Sequence, residues 1–86
     1  MEMELVFTEK FKKDYKKLAL VVQGQTDKKL EFFTEKPFHP SFRIKKMQSR
    51  AGIYEASINM QYRFLFQING SVCILLRIGK HDILEK

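Results

Sequence analysis

A chain of 86 residues has room for one domain with one modest core, predicted over residues 1–86, and excludes a second domain. Cys73 is the only cysteine, which rules out an internal disulfide and a thiolate metal cluster. The sequence also has no apolar run long enough to cross a bilayer, and its first residues are acidic where a secretory signal would be basic. These features predict a cytoplasmic protein without a membrane partner. Sixteen Lys and Arg against ten Asp and Glu leave a formal net charge of +6, which favours a polyanion such as nucleic acid, or one acidic protein, as the partner.

The chain is predicted to open with a strand that leads directly into a helix. Residues 5–7 are an apolar run, and the hydroxyl of Thr8 can cap the backbone NH groups at the start of a helix. Apolar residues then recur four and three positions apart, at Phe11, Tyr15 and Leu18. Because this spacing puts them on one face and leaves the lysines of the segment on the others, the helix is predicted to be amphipathic with a strongly basic outer side.

A second helix is predicted to end near Thr34. Leu30 and Phe33 keep the helical spacing up to that point. Two prolines within residues 37–41 then remove NH donors and disfavour the helical backbone for the residues before them. This segment is therefore predicted to be a loop inside the domain, with His39 as one of its turn residues.

The second half of the chain changes to the two-residue period of strands and is rich in β-branched and aromatic residues. The predicted strands are residues 44–47, 53–58, 62–68 and 72–78. Asn69 and Gly70 predict a hairpin between the last two strands, because this dipeptide tolerates the positive φ of a tight turn. The last strand is apolar on both sides up to residue 76, so it is predicted to be central and to bury Cys73 as a small apolar residue.

This order of elements predicts an α+β fold of the form β-α-α-β-β-β(-β). Two N-terminal helices should pack on one face of a twisted, mainly antiparallel sheet. The other face of the sheet is expected to be partly open.

Side-chain alternation indicates which residues face away from the helices. In the strand at residues 62–68 the aromatic positions should face the helices, so Arg63 points to the opposite face. Glu55 and Ser57 are expected on the same polar face. Gly79 is expected to let the chain turn sharply after the last strand, which brings the next residues beside Arg63.

Basic residues with one imidazole are thus predicted to form a cationic groove at the sheet edge. Its members are Arg43, Lys45, Lys46, Arg63, Lys80 and His81. Such a groove suits RNA cleavage by the 2′-hydroxyl, because His81 can move a proton near neutral pH and Arg63 can hold the phosphate with bidentate donors. The predicted RNA-binding residues are Arg43, Lys45, Arg77 and Lys80, and neither a metal nor another cofactor is expected.

The same residues also have ordinary structural interpretations. His81 can be a solvated residue at a strand end, hydrogen-bonded to Asp82. Arg63 or Arg77 can form a surface salt bridge with Glu55 or another acid.

Four segments of the chain follow one another in a recognisable order. They are the opening FTEKFKKDYKKL, the central RIKKMQSRAGIYEASI, the strand YRFLFQI and the ending LRIGKHD. In this order and spacing they resemble the RelE/ParE toxin superfamily across nearly the whole chain. The resemblance implies a RelE-like fold, ribosome-dependent cleavage of mRNA in the A site, and a cognate antitoxin that wraps around the toxin in a hetero-oligomer.

The resemblance also implies roles for single residues. Arg63 matches a strand arginine that contacts the scissile phosphate in RelE-like toxins, and His81 occupies the place of a catalytic histidine or arginine. Lys45 and Lys46 lie where relatives place a general base or a phosphate-binding cation. The predicted catalytic residues are therefore Arg63, His81 and Lys46.

Two departures from the family pattern leave other functions open. Many relatives carry a tyrosine a few residues after the IGKHD-like segment, and residues 83–86 contain none. Glu55 and Ser57 stand where some RelE members have lysines. The leading prediction is a toxin that cuts mRNA on the ribosome and inhibits translation; the alternatives are a ParE-like inhibitor of DNA gyrase and a catalytically weak member that binds RNA or the ribosome.

Overall fold

The computed structural model describes residues 2–84, apart from the side chain of Ile83. Its elements in chain order are β1 (Glu4–Phe7), α1 (Glu9–Lys16), α2 (Leu20–Glu35), a 3₁₀ turn (Pro40–Phe42), β2 (Lys45–Lys46), β3 (Tyr54–Ser57), β4 (Tyr62–Asn69), β5 (Val72–Lys80) and α3 (His81–Leu84). Among these described helices, none combines the length and the apolar character that crossing a bilayer requires.

The strands form one mixed sheet in the order β1-β5-β4-β3-β2. β1 pairs parallel with β5, and all other neighbours are antiparallel. Asn69 lies opposite Val72, so the predicted two-residue hairpin forms, with Gly70 at a φ of +62°. The predicted α+β fold with a mainly antiparallel sheet and a central last strand is confirmed.

The first helix begins where its capping residue predicts. The Thr8 hydroxyl oxygen accepts a hydrogen bond from the Phe11 NH at 3.2 Å and donates to the Leu75 carbonyl at 2.8 Å. One side chain therefore caps α1 and ties it to β5, because it satisfies a helical NH and a strand carbonyl together. α2 ends at Glu35, one residue beyond the predicted Thr34.

The core lies between the two long helices and one face of the sheet. Phe33 of α2 is fully buried, and its ring meets those of Phe42, Phe64 and Phe66 edge-on at centroid distances of 5.1, 5.5 and 5.2 Å. Edge-to-face contacts of this kind add to the free energy of simple burial. The predicted alternation is confirmed here, because Phe64 and Phe66 face the helices.

A bulge in β5 changes the phase of the last strand. Leu65 lies opposite Arg77 and Phe66 opposite Leu75, so Leu76 has no partner on β4. The extra residue shifts the alternation by one position. Ile78 therefore packs in the core beside Phe64. In a strand without the bulge, residue 77 would occupy that core position.

The second face of the sheet is less open than expected. α3 folds back over it, and Leu84 packs with Ile53 and Leu65 in a small second cluster. Gly79 is not the sharp turn that the sequence suggests, because β5 continues through it to Lys80 and the chain turns only at His81. This return of α3 determines what the candidate site looks like.

Candidate functional site

Basic side chains meet at the end of β5 and the beginning of β4. Arg63, Lys80 and His81 line one cavity of about 310 Å³, together with Met60, Gln61 and Asp82. The structure therefore brings together the arginine and the histidine on which the predicted chemistry depends. They lie neither on opposite sides of the molecule nor sealed inside it.

Strand register holds the cavity together. Arg63 lies directly opposite Gly79, and the backbone NH of His81 donates to the Gln61 carbonyl at 3.1 Å. This bond joins the β3–β4 turn to the start of α3, so the backbone segments that bear Arg63 and His81 are held next to each other. Sites carried on such rigid elements are more precisely positioned than sites on loops.

The guanidinium of Arg63 is oriented by its own turn. Nη1 donates to the Asn59 carbonyl at 2.6 Å and to the Tyr62 carbonyl at 3.1 Å. Nε and Nη2 take no part in these two bonds. A guanidinium fixed on one side can therefore offer its remaining donors to a phosphate at little cost in side-chain entropy.

A buried carboxylate that the sequence did not mark as part of the site lies beside His81. Glu55 is 2% exposed, and its Oε1 is 3.4 Å from Lys45 Nζ and 3.8 Å from His81 Nε2. The prediction put Glu55 on the correct face but on an open surface. It is covered because α3 returns across the sheet, which strand alternation cannot reveal.

The two adjacent lysines of β2 project to different faces. Lys45 is paired with Glu55 and Lys46 with Tyr54, whose ring stacks on the core residue Phe66. Residues directly opposite each other in a sheet share a face. Lys45, which was predicted only to bind RNA, therefore lies on the same face of the sheet as Arg63. Lys46, which was predicted to be catalytic, lies on the face that packs against the helices.

Arg77 is held away from the cavity by an acidic partner. Its Nε donates to Asp14 Oδ2 at 2.6 Å and its Nη2 to Oδ1 at 3.1 Å, and Asp14 also accepts the Ile78 NH at 3.1 Å. The hydrogen bond that the guanidinium donates to Asp14 raises the pKa of Arg77. The guanidinium predicted to bind RNA is thus engaged in an ion pair between α1 and β5.

Arg43 also lies apart from the residues that line the cavity. It ends the 3₁₀ turn in the left-handed conformation, with a φ of 50°, and its NH donates to the Pro40 carbonyl at 3.1 Å. Its side chain is exposed, and Arg43 is not among the described residues that line the cavity with Arg63 and His81.

A second concave surface lies on the helical side of the molecule, and we call it the α1 groove. It has a volume of about 690 Å³, with Phe7, Phe11 and Leu30 among its apolar lining residues. Basic side chains from one face of α1 also line it: Lys12, Lys13 and Lys16. Phe7 is 41% exposed, so the groove presents part of an aromatic ring to solvent.

Comparisons with known proteins place this architecture. No family model and no curated protein sequence matches the chain. Among solved structures, it resembles a mutant of the E. coli toxin RelE in the free state, with a TM-score of 0.75, 26% identity, and coverage of 99% of this chain and 90% of that one. It also resembles YafQ from E. coli strain BL21(DE3), with a TM-score of 0.77, 14% identity, and coverage of 99% and 100%.

A solved archaeal structure extends the comparison. RelE in the RelE-RelB complex from Pyrococcus horikoshii OT3 matches with a TM-score of 0.76 and 15% identity, over 93% of this chain and 96% of that one.

Glu85 and Lys86, part of the segment that lacks the expected tyrosine, lie outside the described residues. The resemblance predicted from the sequence is confirmed: the chain has the fold of the RelE-like toxin superfamily.

Proposed function

We propose that this protein is the toxin of a type II toxin-antitoxin pair, an endoribonuclease that cleaves mRNA on the ribosome and so stops translation in the cytoplasm. The observation that carries the proposal is the shared cavity of Arg63, Lys80 and His81 in a RelE-like fold. The fold alone would fit several functions. The cavity supports RNA chemistry because it combines fixed positive charge with a group that can exchange a proton.

Cleavage by the 2′-hydroxyl requires three things of these side chains. The 2′-oxygen attacks the neighbouring phosphorus and loses its proton, the phosphate gains negative charge, and the leaving 5′-oxygen takes up a proton. Arg63 and Lys80 would hold the phosphate and stabilise its developing charge. His81 would exchange the proton, and Lys45, which shares the face of Arg63, would add further positive charge.

The decisive experiment replaces the two central residues. We expect expression of the wild-type chain to slow growth and to produce new mRNA 5′ ends on ribosomes at codon-spaced positions. The Arg63→Gln, His81→Gln double variant should abolish those ends. A matched variant, Lys28→Gln with Lys36→Gln, removes two exposed cationic side chains of the α2 region and should leave cleavage intact.

Other outcomes would favour other functions. Defects in DNA supercoiling without new mRNA ends would identify a ParE-like inhibitor of gyrase and overturn the proposal. Ribosome binding without cleavage would identify a catalytically weak binding member of the family. Cleavage that persists in the double variant would show that the cavity is not the catalytic site.

The α1 groove fits the antitoxin that the proposal requires. Its apolar floor and its lysines are complementary to an amphipathic helix with acidic residues, which would bury Phe7 and pair with Lys13 and Lys16. Lys12 already contacts Glu9 at 3.2 Å. Solved structures that resemble the chain include the E. coli DinJ-YafQ toxin-antitoxin complex.

Co-expression tests this assignment. A cognate antitoxin with an acidic amphipathic helix should restore growth in cells that express the wild-type chain. Phe7→Glu places a carboxylate in the floor of the α1 groove at a side chain that is 41% exposed, so it should weaken the rescue while mRNA cleavage persists. An unchanged rescue would place the antitoxin elsewhere.

A further inference from the structure

Glu55 is a costly residue at its position. Its side chain is 2% exposed, and within residues 2–84 its Oε2 atom has no hydrogen-bond partner. Removing a carboxylate from water is strongly unfavourable unless good partners compensate it. Burial of a half-satisfied acid is a poor way to stabilise a sheet, so its position needs another explanation.

Three elements converge on this carboxylate. Glu55 lies in the middle of the sheet face, paired with Lys45 on β2 and with Leu65 on β4. α3 crosses the same face, and its first residue, His81, brings Nε2 to 3.8 Å from Oε1. One oxygen atom is therefore shared by a lysine from one edge of the site and a histidine from the other.

We propose that Glu55 is a positioning residue for the RNA-cleaving site: its carboxylate draws Lys45 and His81 together over the sheet, beside Arg63. The inference rests on the proposed function and adds a specific role to it. Glu55 does not touch the substrate, because its carboxylate is covered. It acts through the two side chains that it holds.

The electrostatic reason is the crowding of like charges. Arg63 and Lys80 line the cavity with His81, and Lys45 approaches from β2. Like charges around one site repel each other, and the repulsion is strong where protein displaces water. A shared anion beneath them offsets the repulsion and lets the cations stay close enough to grip one phosphate.

The distances suit a mobile contact. Separations of 3.4 and 3.8 Å exceed good hydrogen-bond lengths, so the pairs are ion contacts that can tighten. Catalytic contacts in proteins without substrate are often long and shorten in the complex. The unpartnered Oε2 gives the carboxylate a second acceptor toward which either cation can turn.

A mutant cycle tests whether Glu55 acts through His81 and Lys45. Glu55→Gln keeps the shape and removes the charge, so we expect it to lower single-turnover cleavage of ribosome-bound mRNA by about tenfold with little change in KM. In a background that carries both His81→Gln and Lys45→Gln, the same substitution should cost less than about twofold. A full tenfold loss in that background would show that Glu55 acts independently of the two side chains that it contacts and would overturn the proposal.

Stability and a conservative variant separate positioning from folding. Because the carboxylate is only partly satisfied, Glu55→Gln should leave the melting temperature unchanged or raise it. Glu55→Asp, which keeps the negative charge, should retain more cleavage than Glu55→Gln. If both variants lose activity only in proportion to lost stability, Glu55 is merely structural.

A measurement on the isolated protein distinguishes this inference from the proposed function. The chain has two histidines, so His39 serves as the internal control for His81 in NMR spectra of the imidazole rings. Glu55→Gln should shift the ring signals of His81 and leave those of His39, which contacts Ser41 at 2.9 Å, in place. Unchanged His81 signals would overturn the positioning role of Glu55, even if RNA cleavage is confirmed. Shifted His81 signals in a chain that cuts no RNA would support the contact between Glu55 and His81 and reject only the proposed nuclease activity.

Discussion

At the scale of single residues, burial decides what a reactive group can do. Cys73 is fully buried in β5 among core residues, and burial raises the pKa of its thiol from 9.0 to about 12. A thiol must ionise before it reacts as a nucleophile. The chain's only cysteine is therefore a packing residue of the core, as its position in an apolar strand predicts.

This burial predicts both slow labelling and an alkaline loss of stability. At pH 8 the native thiol should resist a disulfide reagent that modifies the denatured chain at once. Below the ordinary pKa of a thiol, Cys73 keeps its proton in both the folded and the unfolded state. As pH rises from 9.0 towards 12, only the unfolded state loses this proton, so the free energy of unfolding decreases. Cys73→Ala should remove this part of the decrease in denaturant titrations, and rapid labelling of the native protein would contradict the prediction.

The two lysines of β2 offer a matched pair of substitutions. Lys45 shares a face with Glu55 and Arg63, whereas Lys46 starts from the helix side. Lys45→Gln should therefore lower cleavage by about tenfold or more, because it removes charge near the phosphate, and Lys46→Gln should change it by less than about threefold. The reverse order, measured in single-turnover assays, would restore Lys46 as the catalytic lysine.

At the scale of elements, α1 is fastened to the part of β5 that extends past β1. β1 pairs with residues 72–75 of β5, and beyond them Asp14 accepts the Ile78 NH and binds the Arg77 guanidinium. A helix side chain thus takes the place of a strand partner for that backbone NH. This satisfies a donor that would otherwise face the neighbouring helix.

Breaking this attachment should cost stability and not RNA binding. Asp14 is 15% and Arg77 38% exposed, so solvent screens the pair in part, and Asp14→Asn should lower the free energy of unfolding by about 1–2 kcal/mol. Arg77→Gln should have a similar effect and leave cleavage by the folded protein unchanged. Full stability with loss of ribosome binding in Arg77→Gln would return this arginine to the RNA-binding set.

At the scale of the whole molecule, positive charge is distributed over two surfaces with different geometry. The cavity at the end of β5 is polar and lined by Arg63, Lys80 and His81, while the α1 groove joins apolar side chains to a lysine rim. The net charge of +6 attracts polyanions to the chain in general. Local shape then distinguishes the polar cavity, which is the proposed phosphate site, from the α1 groove, which is the proposed surface for a protein helix.

Salt dependence should reveal how many cations touch RNA. If Arg63, Lys80 and Lys45 each neutralise one phosphate, the affinity for a short single-stranded RNA should fall with a log-log slope of about −2. Arg63→Gln should reduce the steepness by about 0.7, whereas Lys13→Gln in the α1 groove should leave it unchanged. Fluorescence anisotropy across a salt series measures both, and equal effects would indicate diffuse binding over the basic surface.

Local patterns in the sequence were sufficient for most of the architecture. Three kinds of local pattern act within a few residues: the capping hydroxyl of Thr8, the helical spacing of apolar residues within each helix, around Phe11 in α1 and around Leu30 in α2, and the Asn69-Gly70 turn. Their structural effects can therefore be predicted without knowing the rest of the chain. The alternation along β4 likewise predicted that Arg63 faces away from the helices.

Contacts between distant segments decided the composition of the candidate site. The unpaired Leu76 shifts the phase of β5, the pairing of β2 with β3 selects Lys45 over Lys46, and the return of α3 buries Glu55 beside His81. Register and burial depend on which segments meet in space, and the cost of desolvating a charge depends on what covers it. Sequence alone therefore determined the fold and the positions of Arg63 and His81, while only the tertiary structure decided which other charges join them.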